Sequence, residues 1–267
     1  MTPQPDENSE GSRTTTVHLV VTLGSLPGVA VQRAASVASS LGAALEITGV
    51  VASGWRSWGG AEGAAARLRE DLDSLELRIA PTLHVRSGSL ASAAIESARA
   101  TRPAIVVISP DAGATGRTAI TVASTLGVRV LMVRAPRAAK PVLAATDMRH
   151  AQFPVLAASC DLARRLGKAA TFFHNDTELL DTTSGTHLAR LRALAASASV
   201  EADAIVVRSP RTLESILRLA DLADADVVSI GARPRPWHAR LGLAPGLPER
   251  LVDGCACSVY VVPMEAA

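Results

Sequence analysis

The sequence carries an internal echo, and that constrains its fold more than any other feature. Val85-Arg86-Ser87, a helical stretch, and Ile105-Val106-Val107-Ile108-Ser109 recur as Val207-Arg208-Ser209, a helical stretch, and Val227-Val228-Ser229-Ile230-Gly231. The offset is 122 residues, and the match needs no gap. Self-similarity at a fixed spacing means that one supersecondary unit is written twice. A length of 267 residues fits two modest units. The expected division is a disordered tail over 1–14, one domain over 15–135 and a second over 140–263.

Composition narrows the class. Hydrophobic residues make up 48% of the chain, enough for two cores, but aromatics only 3%. Alanine therefore supplies much of the interior, which suits closely packed helices on a small sheet. A net charge of +2 gives no reason to expect a nucleic-acid partner. No apolar run approaches the roughly 18 residues of a membrane span, so no membrane partner is expected. The first 13 residues are polar and lack the apolar core of a signal peptide, which predicts a cytoplasmic protein. Cys160, Cys255 and Cys257 are read as small buried thiols. Cys255-Ala256-Cys257 is too short for an easy disulfide, and too few further ligands lie near it for zinc.

The hydrophobic pattern alternates between strand and helix. In the first half, strands are expected at 17–21, 45–51, 83–86, 104–109 and 128–133, with helices between them. The second half repeats this order, with strands at 142–145, 170–174, 204–208, 227–230 and 258–262. Pro154 suits the first turn of a helix, and Gly167 its end. Ser209-Pro210 reads as the cap and first residue of another helix. Alternating strands and helices imply parallel sheets covered on both faces. Ligands of such sheets bind beyond the carboxyl ends of the strands, where strand order reverses. A reversal between the first and fourth strands would bring together Thr146-Asp147-Met148 and Gly231-Ala232-Arg233.

On these residues the chain resembles the universal stress protein family. The resemblance is carried by Ala144-Ala145-Thr146-Asp147, by Leu162 to Gly167, by Ala225 to Gly231, and by Pro248 to Val252 leading into Cys257 to Val262. It covers 140–263, and 15–135 is similar to a more diverged copy. The resemblance implies an α/β fold of the adenine-nucleotide alpha-hydrolase-like kind. This means two tandem, open, doubly wound five-stranded parallel sheets of strand order 3-2-1-4-5. It also implies pairing of domains through their last strands, within one chain or in a homodimer. Members that bind ATP use an acid at the end of the first strand, matched here by Asp147 beside Thr146. They hold the base at the end of the second strand, near Asn175. Their phosphates lie in a loop of the form Gly, two residues, Gly, nine residues, Gly, Ser or Thr.

That loop is altered here. Gly231 matches its first glycine, but Pro234 stands at the second, and Pro245-Gly246 falls one residue late without the hydroxyl. Proline has no N–H to give a phosphate. Arg233, Arg235, His238 and Arg240 bring cations into the same loop, and the N–H groups of Gly246 and Leu247 open a helix that can face an anion. A solvated basic loop accounts for the same residues. In the first half, Leu23 replaces Asp147 and Ser109 replaces Gly231, and the loop before the last helix is about seven residues shorter. There, Gly113 and Gly116-Arg117-Thr118 read either as a cup for a small anion or as a plain turn.

No metalloprotease, nucleophile-elbow or P-loop motif occurs, and His174 at a strand end reads as structural, so no catalysis is expected. Two readings follow. The first is a non-catalytic binding protein that takes ATP or another adenine nucleotide in its second half at Thr146, Asp147, Asn175, Gly231, Arg233, Gly246 and Leu247. The second is a nucleotide-free interaction module using the Trp55 and Trp58 loop, the basic loop, or the last-strand edges 128–133 and 258–262.

Overall fold

The computed structural model describes residues 15–24, 28–51, 59–110, 113–135, 140–149, 153–177, 184–233 and 245–264. In the first half these form β1 (Thr16–Thr22), α1 (Gly28–Leu41), β2 (Ala44–Val51), α2 (Gly60–Asp73), β3 (Thr82–Ser87), α3 (Leu90–Thr101), β4 (Ile105–Ile108), α4 (Gly116–Leu126) and β5 (Arg129–Met132). The second half contributes β6 (Val142–Thr146), α5 (Pro154–Leu166), β7 (Ala170–Asp176), α6 (Ser184–Ala196), β8 (Ala202–Arg208), α7 (Thr212–Leu222), β9 (Val227–Ala232), α8 (Leu247–Gly254) and β10 (Ser258–Pro263). Each half has the strand order 3-2-1-4-5 that the resemblance implies.

The two sheets are one. Among the described residues the strands run β3-β2-β1-β4-β5-β10-β9-β6-β7-β8 in a single ten-stranded sheet. The junction is antiparallel, with Met132 opposite Val259, Leu131 opposite Tyr260 and Val130 opposite Val261. All other neighbouring strands pair in parallel. The expectation of two separate sheets is thus corrected. Either sheet alone would leave its last strand with an unpaired row of N–H and C=O groups, and side-by-side pairing satisfies both rows. The last-strand edges that the interaction reading offered to a partner are occupied by each other. Trp55 and Trp58 lie outside the described residues.

Side-chain alternation sorts the strands into two cores. Val17, Leu19 and Val21 face one way, beneath α1, α2, α5 and α6. Val20, Val106 and Ile108 face the other way, beneath α3, α4, α7 and α8. Strands buried on both faces explain the unbroken apolar runs seen in the sequence. Alanines 30, 34 and 38 lie buried along α1, letting the helix sit close to the sheet. Gly167 ends α5 as expected, and Pro154 opens it. The Ser209-Pro210 expectation is corrected: α7 begins at Thr212 with Arg211 as its cap, and the Ser209 hydroxyl accepts the Arg211 N–H at 3.1 Å.

Charged groups bind the halves together. Asp226, just before β9, is fully buried, and its carboxylate meets Arg33 of α1 and Lys168 at 3.1 Å. Gly116, at the start of α4, lies so close to α8 that an added Cβ would stand 2.2 Å from the Glu249 carbonyl oxygen. Only glycine allows that approach. In the first half, fully buried His18 shares a hydrogen bond of 2.9 Å between its Nε2 and the Thr48 hydroxyl. Burial lowers its pKa to about 4, with His84 and Arg86 pushing the same way, although Glu46 stands 3.4 Å from Nδ1.

Asp226 and His18 should both matter for stability, and an exposed ion pair should not. Asp226→Ala leaves two buried cations without their carboxylate and should cost about 3–5 kcal/mol in urea unfolding. Removing the exposed Arg211–Glu214 pair (3.2 Å) should cost under about 0.5 kcal/mol. His18 is neutral in the fold, while the unfolded chain takes a proton near the ordinary histidine pKa. Its contribution is therefore present above about pH 6.5 and is lost as pH falls toward 4. Between pH 7 and 5 the native chain should lose about 2 kcal/mol more than His18→Gln, read from paired urea midpoints. Equal losses would remove His18 from the account.

Candidate functional site

The carboxyl ends of β6, β7 and β9 open into a cavity of about 880 Å³, walled by α5 and α7 and bordered by the start of α8. This is the strand-order reversal of the second half, the position where open α/β sheets take ligands. Six of the seven sequence-predicted residues line it: Thr146, Asp147, Asn175, Gly231, Arg233 and Leu247. Gly246 is the N-cap of α8, adjacent to Leu247 but outside the lining. Pro234, Arg235, His238 and Arg240 lie outside the described residues.

The loop after β6 is held by its own side chains. The Thr146 hydroxyl accepts the Met148 N–H at 3.2 Å, and Asp147 Oδ1 accepts the Arg149 N–H at 3.1 Å. Met148 is thereby kept in the left-handed region, at φ 59°. Phe153, which caps α5, is also left-handed, at φ 44°. Each such residue costs about 1–2 kcal/mol, and such strain gathers at ligand sites. Across the mouth, Arg233 Nη2 donates to Asp147 Oδ2 at 3.1 Å. Both side chains are about half exposed, 44% and 49%. The sequence reading treats these two as separate ligands, one for ribose and one for phosphate, whereas the structure couples them.

Asn175 and Gly231 sit where expected but serve the protein itself. The Asn175 amide donates to the Ser209 carbonyl at 2.8 Å and to the Thr212 hydroxyl at 3.0 Å, tying β7 to the β8–α7 connection. A Cβ at Gly231 would fall 2.9 Å from Met264 Cγ and 3.3 Å from Val155 Cγ2. Close packing of Met264 therefore requires this glycine. The first turn of α8 has no side-chain cap, and Pro248 at its second position carries no N–H, so it offers one donor fewer than an ordinary helix start.

Two histidines also face the cavity. His174 Nδ1 donates to the Thr146 carbonyl at 2.9 Å, and its ring meets His187 edge-on with centroids 4.7 Å apart. Burial lowers the His174 pKa, and His187 acts in the same direction. The Thr146 carbonyl, Asp176 and Asp147 oppose that shift. The ring is neutral near pH 7, with its Nε2 an acceptor. Sequence reasoning treated His174 as structural and did not single out His187, which stands on a helix with little amphipathic pattern. Arg190 stacks over Phe153, its guanidinium carbon 4.6 Å from the ring centre.

In the first half, described residues of the protein occupy the sequence candidates. Strand pairing places Thr22, not Leu23, level with Asp147. Leu23 is buried, packed against the Gly49 backbone. The proposed anion cup is filled by the protein: the Gly116 N–H donates to Asp253 Oδ1 of α8 at 2.6 Å, and the Thr115 hydroxyl accepts the Thr118 N–H at 3.3 Å. Among the described residues no His, Cys, Asp and Glu cluster fits a metal ion, and no helix is long and apolar enough to cross a membrane.

No protein-family model matches the chain, and no curated protein matches it. Solved structures do. A protein from Pseudomonas aeruginosa UCBPP-PA14, provisionally assigned as a universal stress protein, is 17% identical, with a TM-score of 0.66 over 94% of this chain and 93% of its own. A functionally unknown protein from Pseudomonas aeruginosa PAO1 is 18% identical, with a TM-score of 0.66 over 94% and 92%. A universal stress protein from Archaeoglobus fulgidus DSM 4304 is 13% identical, with a TM-score of 0.65 over 92% and 96%. Over most of its length the chain therefore has the α/β fold of these proteins.

Proposed function

We propose that the chain is a universal-stress-type, non-catalytic binding protein of the cytoplasm that takes an adenine nucleotide in its second half. The observation that carries this reading is the cavity of about 880 Å³ at the strand-order reversal. Its size suits a cofactor-sized ligand, and it combines apolar walls with a few fixed polar groups. Phe153, Met148 and Ile216 offer surfaces to a flat base. In this reading Asp147 takes ribose hydroxyls, and Arg233 with the start of α8 takes phosphate oxygens. The non-catalytic part is supported by how two of the three hydroxyls lining the cavity, those of Thr146 and Thr212, are used. Thr146 accepts the Met148 N–H, and Thr212 accepts from Asn175. Neither is paired with a base as a nucleophile would be.

Calorimetric titration of the full chain with ATP, ADP and AMP tests the reading, together with nucleotide released on denaturing the purified protein. Asp147→Ala and Arg233→Ala should each weaken binding by about tenfold or more, the loss expected for one charge-assisted hydrogen bond. Arg211→Ala, on an exposed helix start, should leave binding unchanged. No bound nucleotide and no heat with excess ATP would overturn this proposal and favour the interaction module.

A further inference from the structure

We propose that Cys255 and Cys257 form a reversible, peroxide-responsive dithiol–disulfide pair at the foot of α8. Neither is in a disulfide, and their Sγ atoms stand 3.3 Å apart. Cys255 caps α8 in an extended conformation (φ −75°, ψ 134°), its N–H held by the Leu251 carbonyl at 2.9 Å. In extended backbone alternate side chains share a face. Ala256 accordingly points to solvent while both thiols turn inward. The sequence expectation that this spacing is too short for an easy disulfide stands beside that shared face: the sulfurs are close but not bonded. A disulfide bond is about 2.05 Å long, so the sulfurs must close by about 1.3 Å.

The surroundings favour a thiolate at Cys255. The hydrogen bond from Cys257 brings its pKa down to about 7 against the effect of burial, and the Arg134 guanidinium assists. Arg134 is fixed nearby by its Nη2 bond to the Val252 carbonyl at 2.9 Å. Cys160 is the internal contrast: it is more exposed, but burial raises its pKa. Thiolate character and accessibility therefore rank the cysteines in opposite orders.

The chemistry balances with hydrogen peroxide as oxidant. The Cys255 thiolate attacks one peroxide oxygen, the O–O bond breaks, and hydroxide leaves to be protonated. The Cys257 thiol then attacks the resulting sulfenic sulfur and gives its proton to the departing hydroxyl. Two thiols become one disulfide, and peroxide becomes two waters. Peroxide is close to water in size, and Asp253, Gly254 and Ala256 around the pair are exposed, so entry is from that side by local opening. The small ring makes the product strained and easily reduced, as a switch requires.

The test uses the full native chain: peroxide at pH 7, quenching, alkylation in denaturant, and peptide mass spectrometry. The peptide 251–267 should lose both alkylation sites and about 2 Da, and dithiothreitol should restore them. This should occur at least about tenfold faster than any change at Cys160. Cys257→Ser should stop at a Cys255 sulfenic acid that dimedone traps. The proposal fails if Cys160 reacts first while 251–267 keeps both thiols. It also fails if Cys255 in the native chain goes to sulfinic acid without a disulfide.

Discussion

The antiparallel contact of β5 with β10 is the constraint on which the rest depends. It turns two five-stranded sheets into one and buries Tyr260 at the seam opposite Leu131. Burial pushes the Tyr260 hydroxyl up to about 12, although Arg129 beside it pulls the other way. Helices follow the strands: α1 packs on α5 across one face and α4 on α8 across the other. Asp226 joins the halves on the first of these faces, and Asp253 on the second. Among the described residues, only β3 and β8 remain as edges. Both carry exposed polar positions, including Thr82 and Asp203, which suit an edge that should not recruit another strand.

One topology ends in two different arrangements beyond the strands. In the second half the reversal point is open and lined by Asp147, Arg233 and two histidines. In the first, Leu23 packs down on the Gly49 backbone, and the start of α4 is occupied by the Asp253 carboxylate. The same α8 that brings Leu247 to the cavity thus sends Asp253 to α4. This helix links the seam to the site, and the cysteine pair follows it directly.

Much of this was legible in the sequence, for physical reasons that differ by residue. Parallel strands buried on both faces must be continuously apolar, so 105–108 and 227–230 announced themselves. Side chains at the strand ends were located correctly because topology alone sends 146–148 and 231–233 to one place. What those side chains do was less legible. Gly231 was noticed as a ligand-approach glycine, but Met264 and Val155 also demand it. The pairing of Asp147 with Arg233 spans 86 residues of sequence, and no spacing rule encodes it. His187 gave no signal because α6 has few buried positions, only Leu191 and Ala195. Pairing through the last strands was expected from the resemblance alone, since an exposed edge strand and a paired one at the seam read alike in the residues themselves.

Hydrogen exchange of the β5 and β10 amides, read by peptide mass spectrometry in the native chain, tests most directly whether the molecule is one continuous sheet. The amides of 129–132 and 259–261 should exchange as slowly as those of central β1 and β6, through global unfolding only. If 129–132 and 259–261 instead exchange as fast as the outer strands β3 and β8, the halves are not joined as described. The account of a single sheet linking seam and cavity would then be wrong.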